Sequence, residues 1–293
     1  MTEDAMNQKE TERQTKIVAI GNQKGGVGKT SNTVQIATAL GEMGRECLIF
    51  DLDMNQGATR HLGVPSESFM GTFEVLTGEE DPKDVIITAE DEVELPKNVH
   101  LISARRNLEK IDQALATKNK LVVTQDVLLE PLRSLAGLYD YIFLDTAPNA
   151  TTPTIAAYKS ADWFILSATP DPFAIAGLND ALTDIQGAQR YGNPALRLLG
   201  VILCGVDSRT TLTSELTEYV EQLFAGGNKS AKFETTISRS TVIPQAQKLG
   251  KTIFQTAPKH KVTEQYRKLA REIEARITEL KPLTPASSAV KDK

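Results

Sequence analysis

Between Gly21 and Ser31 the chain reads GNQKGGVGKTS, with glycines at 25, 26 and 28, then Lys29, Thr30 and Ser31. Each residue type has a chemical reason to stand there. Glycines let backbone N–H groups converge on phosphate oxygens, because no side chain blocks the approach. A helix opening at this point adds free N–H groups and the positive end of its dipole. Lys29 can reach the β- and γ-phosphates, and the Thr30 hydroxyl can ligate Mg²⁺. The stretch Gly25, Gly26, Val27, Gly28, Lys29, Thr30 and Ser31 therefore points to a bound nucleotide. A chance KGGVGKT in a chain of 293 residues has a probability on the order of 10⁻⁵.

Carboxylates follow at useful positions. Asp51 and Asp53 stand at i and i+2 after the apolar run CLIF. On an extended segment they share a face, and at the carboxyl edge of a sheet both can look toward bound phosphates. Asp145 closes the run YIFL, as a Walker B acid would, and its expected part is to hold the Mg²⁺ shell. His61, His100 and His260 have no metal-like spacing with cysteine or with each other, and no role is assigned to them. Cys47 and Cys204 sit in the apolar runs CLIF and VILC. Two such cysteines make no disulfide framework; they read as buried free thiols, which fits a reducing cytoplasm.

The elements that must position these groups are legible as a pattern. Apolar runs of strand length occur at Lys16–Gly21, Cys47–Phe50, Val99–Ile102, Tyr141–Leu144, Trp163–Leu166 and Leu198–Leu203. They are continuous rather than alternating, as in a parallel sheet covered on both faces. Helical patterns are expected near 28–43, 105–118, 121–136, 174–190 and 211–224. The order βαβα predicts an α/β, doubly wound, mostly parallel twisted sheet with helices on both faces, its chemistry at the carboxyl ends of the strands. A last helix is expected over Val262–Leu280, where Val262, Tyr266, Leu269, Ile273, Ile277 and Leu280 fall on one face. The acidic stretch Glu79–Glu94 reads as a surface loop with short elements. One domain is expected over 16–281, with loose tails at 1–15 and 282–293.

Composition narrows the classes. Charged residues are 24% and hydrophobic residues 40% of the chain, as in a soluble globular protein. No apolar run reaches the length of a membrane span, and the start, MTEDAMNQKETERQ, lacks the order of a secretory signal. The net charge of -5 argues against an overall electrostatic grip on nucleic acid. Its distribution is uneven, however: Lys229–Lys261 holds 7 basic residues against one acid, Glu234. A basic stretch in an acidic chain can mark an anionic partner.

The phosphate loop departs from GxxxxGK[ST] in one respect. Gln23 stands at the first glycine position, and the loop carries an extra cation, Lys24. With this deviant Walker A signature the chain resembles the ParA/MinD group of ATPases, from about Lys16 to about Leu280. The segments PDPFAIAGLNDAL, VILCGVDSRTTLTSELTEYV and FETTISRSTVIPQAQKLGKTIFQ resemble chromosome- and plasmid-partition ParA proteins. The family usually reads DxDPQGNAT after its second strand; here Met54, Asn55, Gln56 and Gly57 stand in the PQGN positions. The nitrogenase iron protein needs cysteines placed to share a cluster between subunits, and Cys47 and Cys204 lie inside strands. MinD ends in a short amphipathic membrane helix, which PLTPASSAVKDK cannot form, so no membrane contact is expected. About fifteen polar residues precede the first strand, so no operator-binding domain is expected either.

The resemblance implies a cycle. ATP and Mg²⁺ bind at Gly25–Thr30 with Asp51 and Asp145. Two protomers close over two nucleotides, each Lys24 reaching its partner's ATP, an effect worth about 10³–10⁵ in rate when a charge is supplied in trans. Asp53 positions the attacking water. The homodimer holds nonspecific double-stranded DNA through Arg209 and Arg239, flanked by Lys248 and Lys251, by phosphate contacts that read no bases. A ParB-type centromere-binding protein or equivalent adaptor stimulates hydrolysis and releases the DNA, so the protein is expected in the cytoplasm, on the nucleoid. Two relatives share the same engine: a ParA-like ATPase positioning a protein cargo, and a MinD-like membrane-bound spatial regulator.

Overall fold

The computed structural model describes residues 14–118, 124–207, 209–223 and 231–279. The expected runs form strands β1 (Lys16–Gly21), β2 (Cys47–Asp51), β3 (Val99–Ile102), β4 (Tyr141–Asp145), β5 (Trp163–Ala168) and β6 (Arg197–Val206). A two-residue strand, β7 (Ile237–Ser238), is added at one edge. The sheet order is β3-β2-β4-β1-β5-β6-β7, and every pairing is parallel. Helices in chain order are α1 (Lys29–Glu42), α2 (Gly57–His61), α3 (Thr72–Thr77), α4 (Ile111–Lys118), α5 (Leu129–Ser134), α6 (Thr152–Ser160), α7 (Ala174–Tyr191), α8 (Thr211–Leu223), α9 (Val242–Lys248), α10 (Ile253–Thr256) and α11 (Lys261–Glu279).

The continuous apolar runs are explained by two cores, one on each face. Alternate side chains of one strand point to opposite faces. Ala19, Leu48, Phe50, Ile142, Leu144, Phe164 and Leu166 join one core with residues of α3 through α8. Val18, Ile20, Cys47, Ile49, Tyr141, Phe143, Trp163 and Ile165 join the other with α1, α2 and α9 through α11. On α11 the expected face is buried at Val262, Tyr266, Leu269 and Ile273, against α1. Leu280 lies outside the described residues. Cys47 and Cys204 are free and buried, and burial raises both thiol pKa values.

The helical expectations need adjustment at several places. The expected 105–118 helix is a 3-10 segment, Arg106–Lys110, running into α4. In place of a helix over 121–136 there is a 3-10 turn, Thr124–Asp126, and the short α5; residues 121–123 lie outside the described residues. Pro131 lies in the first turn of α5, where its missing N–H is tolerated and its ring bars an earlier start. Helices α2, α3, α6, α9 and α10 lie outside the expected helical ranges; α6 carries a readable start signal, Thr151 as its cap and Pro153 in its first turn. As expected, the stretch Glu79–Glu94 holds only short elements, 3-10 turns at Pro82–Val85 and Ala89–Asp91. Of the tails, only Gln14, Thr15 fall among the described residues. Thr15 is held: its hydroxyl donates to Tyr139 O at 2.7 Å and accepts from Gly137 N at 2.8 Å.

Candidate functional site

The loop between β1 and α1 places its glycines where backbone geometry demands them. Gly26 and Gly28 hold φ of 77° and 86°, a left-handed region that costs other residues roughly 1–2 kcal/mol. Helix α1 opens at Gly28 with no side-chain cap and no acid in its first turn, so its N–H groups face outward with the dipole's positive end. The loop is braced from below. Ser167 donates to Val27 O, Asn32 Nδ2 donates to Ser167 Oγ at 2.9 Å, and Tyr266 on α11 donates to Asn32 Oδ1 at 2.9 Å. Lys29 is buried and folds back, its Nζ donating to Lys24 O at 2.9 Å. Burial lowers its pKa, while the Asp145 and Asp53 carboxylates pull the other way.

The two strand-end acids are neighbours by register: Asp51 on β2 pairs with Asp145 on β4. Both are fully buried. Burial pushes both carboxyls above the usual range, and for Asp145 the adjacent Asp51 charge adds to the push. Asp145 accepts from Thr30 Oγ1 at 2.8 Å and Thr33 Oγ1 at 3.1 Å. Asp51 accepts from Thr59 N at 2.9 Å, Thr59 Oγ1 at 2.7 Å and Asp53 N at 3.1 Å, so it also braces its own loop. Asp53 is 8% exposed. Its Oδ1 accepts both Asn55 N and Asn55 Nδ2 at 2.9 Å; among the described residues no hydrogen bond is formed to Oδ2.

The loop Met54–Gly57 is held by the backbone state and bonds of Gln56. Gln56 takes a left-handed φ of 62° and is fixed by Gln56 N to Asp53 O at 2.7 Å and by Arg60 Nε to its Oε1 at 3.0 Å. Gly57 lies against the site: a Cβ there would meet Thr30 Oγ1 at 2.7 Å and Asp145 Oδ2 at 3.4 Å. Lacking a side chain, Gly57 lets the loop lie against two hard oxygen donors, Thr30 Oγ1 and Asp145 Oδ2, a donor set that suits Mg²⁺. Among the described residues no group of three His, Cys, Asp or Glu could hold a metal alone. A Mg²⁺ site that shares one or two carboxylates with substrate phosphates needs none.

Lys24 is half-buried at the mouth of the loop. Its Nζ is ion-paired with Asp171, in the loop between β5 and α7, and lies 5.6 Å from the centre of the exposed Phe173 ring. Sequence reading missed Asp171, because nothing local announces a partner 147 residues away.

The basic residues divide. Arg239 directly follows β7, and its N donates to Val206 O at 3.1 Å. Arg209 lies beyond the end of β6, its side chain 86% exposed and paired with Asp207 at 2.8 Å. Asp207 is held well below the usual carboxylate range, first by its hydrogen bonds from Arg209 and, less, by the Arg239 charge. The two arginines thus follow adjacent strand ends, with Asp207 paired to Arg209. Lys248 is exposed at the end of α9. Lys251 is drawn aside to Glu94 at 2.9 Å.

Residues 15–198 match an AAA domain family. Over 262 residues the chain is 32% identical to the chromosome-partitioning ATPase Soj of Thermus thermophilus, covering 89% of this chain and 96% of the relative. It is 29% identical over 264 residues to the sporulation initiation inhibitor protein Soj of Bacillus subtilis, covering 89% and 98%. Its fold matches cobyrinic acid a,c-diamide synthase from Mycobacterium smegmatis, solved with bound ATP analog and magnesium, at a TM-score of 0.75 and 24% identity, over 93% of this chain and 100% of that one. A parallel sheet with a phosphate loop after β1 and a buried acid ending β4 defines a P-loop NTPase. The chain belongs to the ParA/MinD-type partition ATPases of that class.

Proposed function

We propose that this ATPase is a DNA-partition switch: it binds Mg·ATP, closes as a homodimer, holds nonspecific double-stranded DNA, and lets go when a partner stimulates hydrolysis. The observation that carries this reading is a shared edge. Arg209 and Arg239 follow the carboxyl ends of β6 and β7, the same sheet edge at which the phosphate loop, Asp51 and Asp145 follow β1, β2 and β4. A dimer formed over nucleotide at that edge doubles the arginine pair, and two pairs make enough phosphate contacts where one does not.

The residues divide the work. Backbone N–H groups of Gly25–Thr30 and the Lys29 ammonium take the phosphates. Thr30 and Asp145, with Asp51 behind, would hold Mg²⁺, whose charge neutralises the phosphoryl oxygens when it is bound. Asp53 presents its unengaged Oδ2 to the proton of the attacking water while Asn55 fixes its other oxygen. Lys24 leaves Asp171 and crosses to the partner's nucleotide. The adaptor is of the ParB type, and the ATP-bound state resides on the nucleoid. No helix among the described residues is long and apolar enough to cross a membrane.

The test is DNA binding at two salt concentrations with ATP, ADP and no nucleotide. ATP-dependent retention that weakens steeply with salt is expected, because phosphate contacts release counterions. Equal retention in all three states would leave the switch without a function.

A further inference from the structure

We propose that Gln247 couples the phosphate loop to the basic edge at α9, acting as a hydrogen-bond acceptor between two donors. Its importance for DNA rests on the partition reading; the coupling itself does not. Gln247 Nε2 lies 3.2 Å from Ser31 Oγ and 3.2 Å from His61 Nδ1, so the acceptor role requires the amide to be turned over. Ser31 follows Thr30 in the first turn of α1. His61 ends α2, which grows out of the Asp51–Asp53 loop. One side chain therefore touches both halves of the frame around the nucleotide, and it is the immediate neighbour of Lys248.

The protons fix its role. Gln35 Oε1 accepts from Ile253 N at 3.3 Å, so the Gln35 Nε2 group faces His61 Nε2 at 3.0 Å and donates to it. His61 Nε2 is then the acceptor of a neutral ring, whose proton sits on Nδ1. An Nδ1–H needs an acceptor, and so does the Ser31 hydroxyl. Gln247 serves both only if its carbonyl Oε1, rather than its NH₂, is turned inward; amide orientation is assigned by such networks. Gln35 and His61 are buried, so these bonds are shielded from competing water.

The backbone makes the same link independently. Gly63, just past α2, and Gly250, just past α9, are pressed together. A Cβ on Gly250 would stand 2.6 Å from Gly63 Cα, and one on Gly63 would stand 2.9 Å from Gly250 O. Helix α9 cannot move toward the end of α2 without displacing it. A rearrangement of the Asp53 loop on nucleotide exchange is thus passed to Lys248 through contiguous contacts.

The experiment compares the full wild-type chain with Gln247→Met, which keeps length and loses the acceptor, and Gln247→Glu, which accepts from both donors. Two quantities are read. One is the difference in hydrogen exchange over Val242–Lys248 between a nonhydrolysable ATP analogue and ADP. The other is the ratio of DNA affinities in those two states. The Met variant is expected to lose about fivefold or more of the affinity ratio together with the exchange difference, and the Glu variant to keep both. A Met variant that retains both overturns the coupling. Loss in both variants overturns the acceptor assignment. If wild type holds no DNA in any state, the partition reading fails, and the exchange difference still decides on Gln247.

Discussion

Lys24 and Asp171 form an ion pair within one protomer, beside the exposed ring of Phe173. The lysine that is proposed to act across a dimer is therefore held at home when no partner is present. Asp171 accepts as well from Phe173 N at 2.9 Å and Thr169 Oγ1 at 3.0 Å, which fixes the carboxylate as a receptor. Neither side chain is fully buried, so the pair is worth at most about 1 kcal/mol. Asp171→Asn should raise ATP-dependent dimerisation up to about fivefold, read by analytical ultracentrifugation with a nonhydrolysable analogue. Lys24→Ala should bind nucleotide yet lose partner-stimulated hydrolysis. An unchanged dimer fraction in Asp171→Asn would mean that the ion pair does not compete with assembly.

Burial lowers the Lys29 pKa, and the Asp145 and Asp53 carboxylates stand close enough to oppose that shift, but only one Asp53 oxygen is engaged. Asp53→Ala removes the unengaged oxygen proposed to face the water, without touching the Thr30–Asp145 pair. ATP affinity should stay within about threefold while turnover falls about 10²-fold or more, the size of a lost proton acceptor. The variant should remain dimeric and on DNA. Turnover at the wild-type rate, measured by phosphate release, would assign the water to another group.

Gly57 tests the Mg²⁺ position by space alone. Gly57→Ala drives a methyl to 2.7 Å from Thr30 Oγ1, closer than real Cβ contacts come, so Thr30 or α2 must shift. Affinity for Mg·ATP should fall about tenfold or more, with a smaller loss for ATP in the presence of EDTA. Equal losses in calorimetry would place the damage in the loop rather than at the metal position.

Much of this arrangement is written locally. The strands β1, β2 and β4 are continuous apolar runs because both faces of each are buried, and the groups at their ends follow from chain direction. Strand β7 escapes sequence reading because Ile237–Ser238 is too short to carry any period. Yet its pairing with β6 is what sets Arg239 beside Val206 and hence near Arg209. The left-handed Gln56 and the Asp171 receptor were equally hidden. The first is a backbone state imposed on a residue that does not favour it, and the second is a contact between distant segments. What sequence names well is the chemistry at strand ends; what it leaves out is how loops are restrained between turnovers.

His61 gives a pH prediction from the junction of α1, α2 and α9. Burial lowers its pKa from 6.5 to about 4. Between those values the unfolded chain binds a proton that the folded chain refuses, so this residue's contribution to stability falls as pH drops from about 6.5 toward 4. The full effect is roughly 3 kcal/mol. In nitrogen-detected NMR the His61 ring should stay neutral, with its proton on Nδ1, at pH 6. The stability difference between wild type and His61→Gln should shift against wild type across that window. A ring charged at pH 6 would contradict both the burial and the hydrogen bonds drawn to it.

Arg209 and Arg239 provide the sharpest separation of engine from cargo. Both lie beyond the described contacts of the phosphate loop, and both are exposed. Arg209 is paired with Asp207, at the surface, where screening leaves the pair little strength; DNA phosphates can replace that acid at small cost. The double variant Arg209→Ala, Arg239→Ala should therefore keep ATP-dependent dimerisation and basal hydrolysis while losing DNA retention in a gel shift. Each lost phosphate contact should also flatten the dependence of log affinity on log salt by about one unit per arginine, which is two per protomer. Lys251→Ala should do less, because that ammonium is already held by Glu94 at 2.9 Å. If the double variant keeps both retention and slope, the basic edge faces something other than DNA, and the same ATP-driven closure would have to be serving a different anionic partner.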